Sequence, residues 1–374
     1  MQKQISMRVA GEHPAAGSGW LKKAVRTLIR ERQGSHVPVE ALWDDFLASR
    51  ELSLSRIRHY AVILKMVRRY EAYVRASLPG MSGWRLMVDE VDLDILNDMK
   101  DYFKEEYVYV RRYPQILEDV PEERGFGMRS ENYLHSVFKM LKAFFSWCRK
   151  EGHITTWPFA GFVMPKEEYG TPVILTLDEV ERLLNAPMPY RRLERQRDIF
   201  VFQCQVGCRV GDMLKFTKKS VQHGTLEYIA GKTIHFSGRT VVVPLNEIAR
   251  NIVRKYRDLP GDRLLPFVSE QNYNRYIKDA FTMAGLNRIV TTYDPVRRCE
   301  VKLHLNKIAS SHLARRTFAG NIYRKVKDPN LVSALTGHAE GSKAFNRYRE
   351  IDIGMKRDLV RILENKKRTR KTWK

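Results

Sequence analysis

The residue types that could do chemistry lie close together between positions 311 and 348. His312 and Arg315 are three positions apart, which places both side chains on one face of a helix. A second short apolar segment ends at His338, and Tyr348 follows ten residues later. Two histidines, an arginine and a tyrosine on short helices predict a site that handles a phosphate.

A second arginine, Arg209, extends this prediction. It follows an apolar helical segment that ends at Gly207, and Asp212 comes three residues later. Attack on a phosphodiester builds negative charge on the non-bridging oxygens, and the planar guanidinium of arginine compensates such charge well. A tyrosine such as Tyr348 can then act as the nucleophile. No cluster of acidic residues in the sequence resembles a two-metal nuclease site, so we expect chemistry without a metal or another cofactor.

The composition favours a polyanionic partner. The 374 residues include 66 lysines and arginines against 43 aspartates and glutamates, which gives a formal net charge of +23. Because this charge is spread along the whole chain, we expect double-stranded DNA as the partner. The alternative is a generically basic protein.

Other features bear on the cellular setting. No apolar run approaches the roughly 18 residues that span a bilayer, and residues 1–19 lack the apolar core of a signal peptide. The cysteines have no metal-binding spacing and are expected to be reduced core thiols: Cys148, Cys204, Cys208 and Cys299. We therefore expect a cytoplasmic protein that contacts no membrane.

Hydrophobic periodicity divides the chain into three parts. Residues 1–35 form a basic arm, residues 36–165 a compact domain of four or five helices, and residues 172–374 a second, α-rich domain with a basic C-terminal tail. Prolines and glycines between about 160 and 172 break helix and strand and mark the boundary. On the helix predicted over about 53–76, basic residues surround the apolar stripe. The candidate DNA contacts on this helix, for which a merely solvated surface is the alternative, are Arg56, Arg58, Lys65, Arg68 and Arg69.

The second domain combines helices with a small amount of strand. Thr176 to Glu179 form a capping box that begins a helix, and a mostly apolar helix follows from Gln196 to about Val206. Residues 225–245 change to a β-rich pattern, which predicts a hairpin in a small three-stranded sheet. The stretch from Arg288 to Lys302 predicts irregular or extended chain. The expected fold class is therefore mainly α, with a small antiparallel sheet.

The order of these motifs is similar to a known family. The segments GCRVGD at 207–212, HLAR at 312–315, LTGH at 335–338 and then Tyr348 resemble the signature of the tyrosine recombinases, the phage integrase family. Three further segments resemble integrases of Bacteroidetes mobile elements, namely PVILTLDE from Pro172, RDIFVFQ from Arg197 and YIAGKT from Tyr228. The resemblance covers roughly residues 172–350. It extends more weakly over 36–160 to the SAM-like helical core-binding domain of that family.

The resemblance implies a role for each residue of the motif. Tyr348 would attack the scissile phosphate and give a 3′-phosphotyrosyl bond and a free 5′-hydroxyl. Arg209 and Arg315 would clamp the non-bridging oxygens. His312 would help to accept the tyrosine proton, and His338 would hydrogen-bond the phosphate.

The resemblance implies a role for two more positions, and two of the assigned residues, Lys232 and Tyr348, have a rival. Asp212 matches the acidic position that braces the site, and Lys232 would be the general acid for the 5′ oxygen. The segment that follows Lys232 is longer than in many members, which makes Arg239 a rival for this role. Tyr323 competes with Tyr348, but it lies on the helix of Arg315 and is expected to pack. Residues 1–35 are too short for a separate arm-binding domain.

The resemblance implies site-specific recombination, in which a mobile element is integrated or excised by four protomers on synapsed DNA. DNA inversion and chromosome-dimer resolution by the same chemistry are alternatives. A degenerate DNA-binding regulator and a topoisomerase-like enzyme are rivals from other classes.

Overall fold

Two compact units make up the described part of the chain. The structure, a computed structural model, describes residues 36–122, 125–231, 238, 240–337 and 360. The first unit holds the described residues up to Tyr169 together with Pro295–Arg298, and the second unit holds the others from Gly170 onwards. The basic arm at 1–35 and almost all of the basic C-terminal tail lie outside the described residues. None of the described helices combines the length and apolarity needed to cross a membrane.

The described part of the first unit is built from helices. A 3₁₀ turn at Val39–Leu42 precedes α1, and Ser53, Asp92 and Ser130 cap the three long helices by accepting a backbone N–H three residues on. The helices are α1 (Trp43–Ala48), α2 (Leu54–Ser77), α3 (Leu93–Arg112), α4 (Gln115–Asp119) and α5 (Glu131–Lys150). Helix α3 has a kink at Glu105.

An aromatic cluster forms the core of this unit. Trp43 and Phe46 of α1 are almost fully buried, and their ring centroids lie 4.8 Å and 5.4 Å from that of Phe144 on α5. The apolar stripes of α1, α2, α3 and α5 meet in this core. Burial of such large rings is the main source of stability for a small helical unit.

Arg69 does not lie on the surface of α2 and is a correction to the predicted DNA contacts. Only 1% of the residue is exposed, and its Nε donates to Oε1 of Glu106 on α3 over 2.6 Å. Arg129 pairs with the other oxygen of the same carboxylate. A guanidinium held in the interior by Glu106 is not available to a DNA phosphate, so Arg69 is a structural residue.

Replacement of Arg69 is therefore expected to affect stability. Arg69→Ala leaves the buried Glu106 carboxylate with Arg129 alone and should lower the free energy of unfolding by about 3 kcal/mol. Arg58→Ala removes an exposed arginine from the same helix and should change it by less than about 0.5 kcal/mol. Denaturant unfolding followed by circular dichroism measures both. Equal stability of the two variants would contradict the structural role of Arg69.

The second unit surrounds a buried helix. Its helix α7 is almost entirely buried between Gln196 and Val206, and it packs against four other helices. The elements are α6 (Leu177–Asn185), α7 (Arg191–Val206), α8 (Val210–Met213), β1 (Val221–Gln222), β2 (Thr225–Ile229), β3 (Thr240–Pro244), α9 (Glu247–Lys255), α10 (Glu270–Met283), β4 (Ile289–Asp294), β5 (Cys299–His304), α11 (Leu305–Ile308), α12 (Ser311–Val326) and α13 (Pro329–Thr336). The predicted capping box of Thr176 and Glu179 is present at the start of α6.

The strands form two small antiparallel sheets. The first has the order β1-β2-β3, with Leu226 opposite Val243 and Tyr228 opposite Val241. The second is the hairpin of β4 and β5. The predicted mainly α fold with a small antiparallel sheet is confirmed. The stretch from Arg288 to Lys302 is more regular than predicted, because its β-branched residues pair across a turn at 295–298.

The end of α7 requires a glycine. Gly207 has a φ of +66°, in the left-handed region, and a Cβ on this residue would lie 2.1 Å from Cδ1 of Phe318 on α12. The close approach of α7 to α12 thus depends on the missing side chain. Since Arg209 follows two residues later, this turn also sets where that side chain begins.

Gly207→Ala should therefore destabilise the second unit by about 3 kcal/mol or more, since a left-handed alanine and an overpacked core both cost energy. Gly224→Ala is the matched control, because Gly224 has a φ of +77° but nothing lies within 4 Å of its added Cβ. It should cost about 1–2 kcal/mol. Thermal unfolding of the two variants gives the comparison, and similar losses would show that Phe318 gives way easily.

Candidate active site

The first turn of α12 meets the α7–α8 turn at the candidate site. Gln203 on α7 holds this turn, because its Nε2 donates to the carbonyl of Cys208 over 3.0 Å. The hydroxyl of Tyr273 in turn lies 3.2 Å from Oε1 of Gln203. Both Gln203 and Tyr273 are buried, so these hydrogen bonds hold the backbone in place just before Arg209.

Arg315 is the link between the two elements. Its side chain leaves the first turn of α12, and Nη1 donates to the carbonyl oxygen of Gly207 over 2.7 Å. The residue is only 2% exposed. His312, one turn earlier on the same helix, is exposed. The predicted pair therefore shares a helix, with the arginine in the wall and the histidine at the rim.

Arg209 and Asp212 lie close together without a hydrogen bond. Nη1 of Arg209 is 4.0 Å from Oδ2 of Asp212, which is beyond hydrogen-bonding distance. Both atoms are buried, and neither has a hydrogen-bond partner among the described residues. Buried polar atoms without a hydrogen-bond partner are rare in folded proteins and often occur at functional sites. Arg209 thus has an N–H group that could donate a hydrogen bond to an anion.

The other oxygen of Asp212 holds the end of the sheet. Oδ1 accepts the backbone N–H of Gly231 over 2.8 Å, and Gly231 directly precedes Lys232. One carboxylate therefore contacts the segment after β2 and faces Arg209 at the same time. This geometry fits a bracing residue.

Tyr228 is a polar residue of the site that the sequence analysis did not single out. Its hydroxyl is buried and has no hydrogen-bond partner among the described residues. Burial raises the pKa of the phenol, and the nearby Cys208 thiol and Asp212 carboxylate act in the same direction, against Arg315 and Arg209. Its inward position two residues after Leu226 follows from strand alternation, which is the signal that could have revealed it.

Cys208 directly precedes Arg209 and is not suited to act as a nucleophile. The thiol is completely buried, and burial raises its pKa despite the opposing charge of Arg315. A thiol that stays protonated is a poor nucleophile. Cys148 and Cys204 are buried as expected, whereas Cys299 on β5 is exposed, so the prediction of a core thiol is wrong for Cys299.

A cavity of about 620 Å³ brings these groups together in the second unit. Four predicted residues line it, namely Arg209, Asp212, His312 and Arg315. The other lining residues, which the sequence analysis did not assign to the site, are Gln203, Val210, Gly211, Lys215, Gly231, Glu270 and Ser311. The cavity thus joins residues that are separated by about a hundred positions in the chain.

The remaining predicted site residues, Lys232, His338 and Tyr348, lie outside the described residues, as does the rival Arg239. The described residue before His338 is Gly337, which has a φ of +64°. A Cβ at this position would lie 2.8 Å from Val241 and 3.5 Å from Ala230, so the end of α13 packs on the three-stranded sheet.

Tyr323, the rival to Tyr348, is partly buried. It packs against the small cluster of Ala319 and Val332 between α12 and α13. Packing of this kind agrees with the expectation for Tyr323. In the part of the chain that the structure describes, no group of three or more histidine, cysteine, aspartate or glutamate residues could hold a metal ion.

The predicted DNA contacts of the first unit differ in their surroundings. Arg56, Arg58 and Lys65 are exposed, whereas Arg68 pairs with Glu40. Arg56 also lines a groove of about 1060 Å³ between α2 and α5, together with Arg50, His59 and Lys139. The basic surface of α2 is therefore smaller than predicted but present.

The comparisons with known proteins agree with this geometry. Residues 174–354 match the model of the phage integrase family. The chain is 23% identical over 235 residues to the tyrosine recombinase XerD of Listeria monocytogenes (serotype 4b), which covers 61% of this chain and 76% of that protein.

Solved structures share the fold. The lambda integrase tetramer bound to a Holliday junction has a TM-score of 0.56 and 18% identity, over 91% of this chain and 87% of that one. The Tn1549 transposon integrase in complex with a circular intermediate DNA has a TM-score of 0.57 and 14% identity, over 87% and 99%. The family match over 174–354 includes all the residues that line the cavity. Residues 174–354, just under half of the chain, therefore carry a domain that matches the phage integrase family.

Proposed function

We propose that this protein is a site-specific recombinase that cuts and rejoins DNA strands through a covalent bond between a tyrosine and the DNA. The observation that carries this proposal is the cavity lined by both Arg209 and Arg315, where a buried N–H of Arg209 has no hydrogen-bond partner among the described residues. A phosphodiester supplies the acceptor oxygens that this donor lacks.

The chemistry assigns the arginines to the charge that develops on the phosphate. In the transition state the non-bridging oxygens carry extra negative charge, and preorganised guanidinium groups stabilise it most effectively when they need not move. The carbonyl of Gly207 fixes Arg315 in this way. The turn after Gly207 fixes the backbone of Arg209.

We assign the nucleophile to Tyr348. Its oxygen bonds to phosphorus, the bond to the 5′ oxygen breaks, and the tyrosine proton moves towards His312 at the rim. His338 hydrogen-bonds the phosphate, and Lys232 gives a proton to the departing 5′ oxygen. The 5′-hydroxyl of a partner strand then reverses the reaction, so that each bond broken is re-formed without ATP. Two described tyrosines, Tyr228 and Tyr273, are less suited to the attack, because burial raises the pKa of both phenols.

The first unit is proposed to bind the DNA around the cut site. The exposed cations Arg56, Arg58 and Lys65 on α2 and the formal net charge of +23 support this role. Four protomers are proposed to act together on two synapsed duplexes. A protein that recombines DNA works where the DNA is, so we place it in the cytoplasm.

Among recombination reactions, we propose integration or excision of a mobile element. The motifs shared with mobile-element integrases and the fold shared with a transposon integrase support this choice. DNA inversion and chromosome-dimer resolution use the same chemistry and stay alternatives, which the DNA flanking the gene would separate. Retention of Arg209, His312 and Arg315 in one cavity argues against a degenerate regulator.

The nucleophile can be tested with a nicked duplex that carries the ends of the element. The wild-type protein should form a covalent protein–DNA adduct, visible as a band that resists detergent, because loss of the short strand beyond the nick prevents rejoining. Tyr348→Phe removes the attacking oxygen and should abolish the adduct. Tyr323→Phe is the control and should retain it, since Tyr323 packs between helices. The opposite pattern would move the nucleophile to Tyr323.

The general acid can be tested with a 5′-bridging sulfur in place of the leaving oxygen, because a thiolate leaves without a proton. Lys232→Ala should slow cleavage of the oxygen substrate by about 10²–10⁴-fold. The same variant should cleave the sulfur substrate at nearly the wild-type rate. Arg239→Ala should show no such rescue. Rescue of Arg239→Ala alone would assign the proton to Arg239.

A further inference from the structure

The cavity contains a cation to which neither the motif nor the family resemblance assigns a role. Lys215 follows α8, and its backbone N–H donates to the carbonyl of Asp212 over 3.0 Å. The neighbouring Met213 and Phe216 are buried, which fixes the chain on both sides. The lysine itself is exposed and lines the cavity. Its side chain is thus directed into the cavity by a turn that the core holds in place.

The ammonium group lies next to the segment that leads to Lys232. A Cβ built on Gly231 would lie 3.4 Å from Nζ of Lys215 and 3.2 Å from Oδ1 of Asp212. Nζ of Lys215 and Oδ1 of Asp212 therefore both lie close to Gly231, on the side where a side chain would project. Oδ1 already accepts the N–H of Gly231. No ion pair joins Lys215 to any residue that the structure describes, although Asp212 is close.

The charges of the cavity favour an anion at this place. Arg209, Lys215 and Arg315 are cationic, and only Asp212 and Glu270 among the lining residues are acidic. Asp212 has one oxygen bound to Gly231, and Glu270 is exposed. A lysine with three donors and no partner among the described residues is a suitable point charge for a phosphate oxygen.

We propose that Lys215 binds a non-bridging oxygen of the scissile phosphate, as a third cation beside Arg209 and Arg315. This inference rests on the proposed function, since it needs a DNA phosphate in the cavity. Arg315 would hold the phosphate from the Gly207 side and Lys215 from the Gly231 side. Lys215 is then a contact of the phosphate itself and not one of the many cations that attract DNA from a distance.

A single phosphate can be tested by replacing it with a neutral methylphosphonate. Binding is measured in a Tyr348→Phe background, so that no covalent bond forms, on duplexes that carry the element ends. With the natural phosphate, Lys215→Ala should reduce the slope of log K against log salt concentration by about 0.9, because one contact is lost. With the methylphosphonate at the scissile position, the proteins with and without Lys215 should bind equally.

Two matched variants make the result specific. Lys219→Ala removes an exposed lysine outside the cavity, so any effect it has should be the same on both duplexes. Lys215→Arg keeps the charge and should keep the salt slope. Unchanged melting temperatures for all variants separate the loss of a contact from a loss of folding. If Lys215→Ala weakens binding equally on both duplexes, Lys215 does not touch the scissile phosphate and the inference is overturned.

A cleavage assay separates binding from proton transfer. Lys215→Ala should lower the cleavage rate about tenfold to hundredfold on the oxygen substrate, and equally on the substrate with 5′-bridging sulfur. Rescue by sulfur would make Lys215 the general acid and would overturn its role as an oxygen contact. If the protein with Tyr348 and Lys215 intact forms no adduct, the proposed function fails and the inference falls with it. An adduct without coupling between Lys215 and the scissile phosphate overturns the inference alone.

Discussion

The buried hydrogen bond from Arg315 to the carbonyl of Gly207 is the interaction on which the rest of the site depends. It joins the first turn of α12 to the end of α7, two elements that are 108 positions apart in the chain. A charged donor in the interior needs an acceptor, and a backbone carbonyl supplies one without moving. The left-handed turn at Gly207 exposes this carbonyl, and the absence of a side chain there lets Phe318 approach. The packing of Phe318 against Gly207 and the position of Arg315 therefore depend on the same turn.

Asp212 has a comparable role on the other side of the cavity. One oxygen fixes Gly231, whereas the other is left facing Arg209 at 4.0 Å. Buried polar atoms without a hydrogen-bond partner are destabilising and therefore rare. Here two such atoms, Nη1 of Arg209 and Oδ2 of Asp212, lie where the proposed phosphate would bind. A phosphate would supply an acceptor for the Arg209 N–H, which supports the proposed site, whereas Oδ2 of Asp212 needs a donor.

The two units use buried arginines for different purposes. Arg69 in the first unit is balanced by Glu106, with Arg129 on the same carboxylate, so the charge is neutralised within the protein. In the second unit, Arg315 is only 2% exposed, yet it lines the cavity. Burial alone therefore does not distinguish an arginine that lines a cavity from one that is paired in the interior.

The sequence by itself predicted which residue types would do the chemistry and which segments of the chain contain them. Helical periodicity predicted α2, the capping box predicted the start of α6, and the order of Arg209, His312 and Arg315 indicated phosphate chemistry. These features are local, since each depends on spacing within one or two turns. The hairpin of β4 and β5 was read as irregular or extended, because whether an extended stretch pairs with its neighbour depends on the turn between them.

Only the tertiary structure decided which side chains meet. Arg69 and Arg58 have the same local pattern on α2, yet Arg69 is buried because Glu106 on α3 faces it. Lys215 lines the cavity and Tyr228 lies close to Asp212. Both are near the point where the segment after β2 contacts the turn after α8, through Gly231 and Asp212. Such contacts depend on how elements that are distant in the sequence pack together. The spacing of residues within one element does not show which residue lies on the element that faces it.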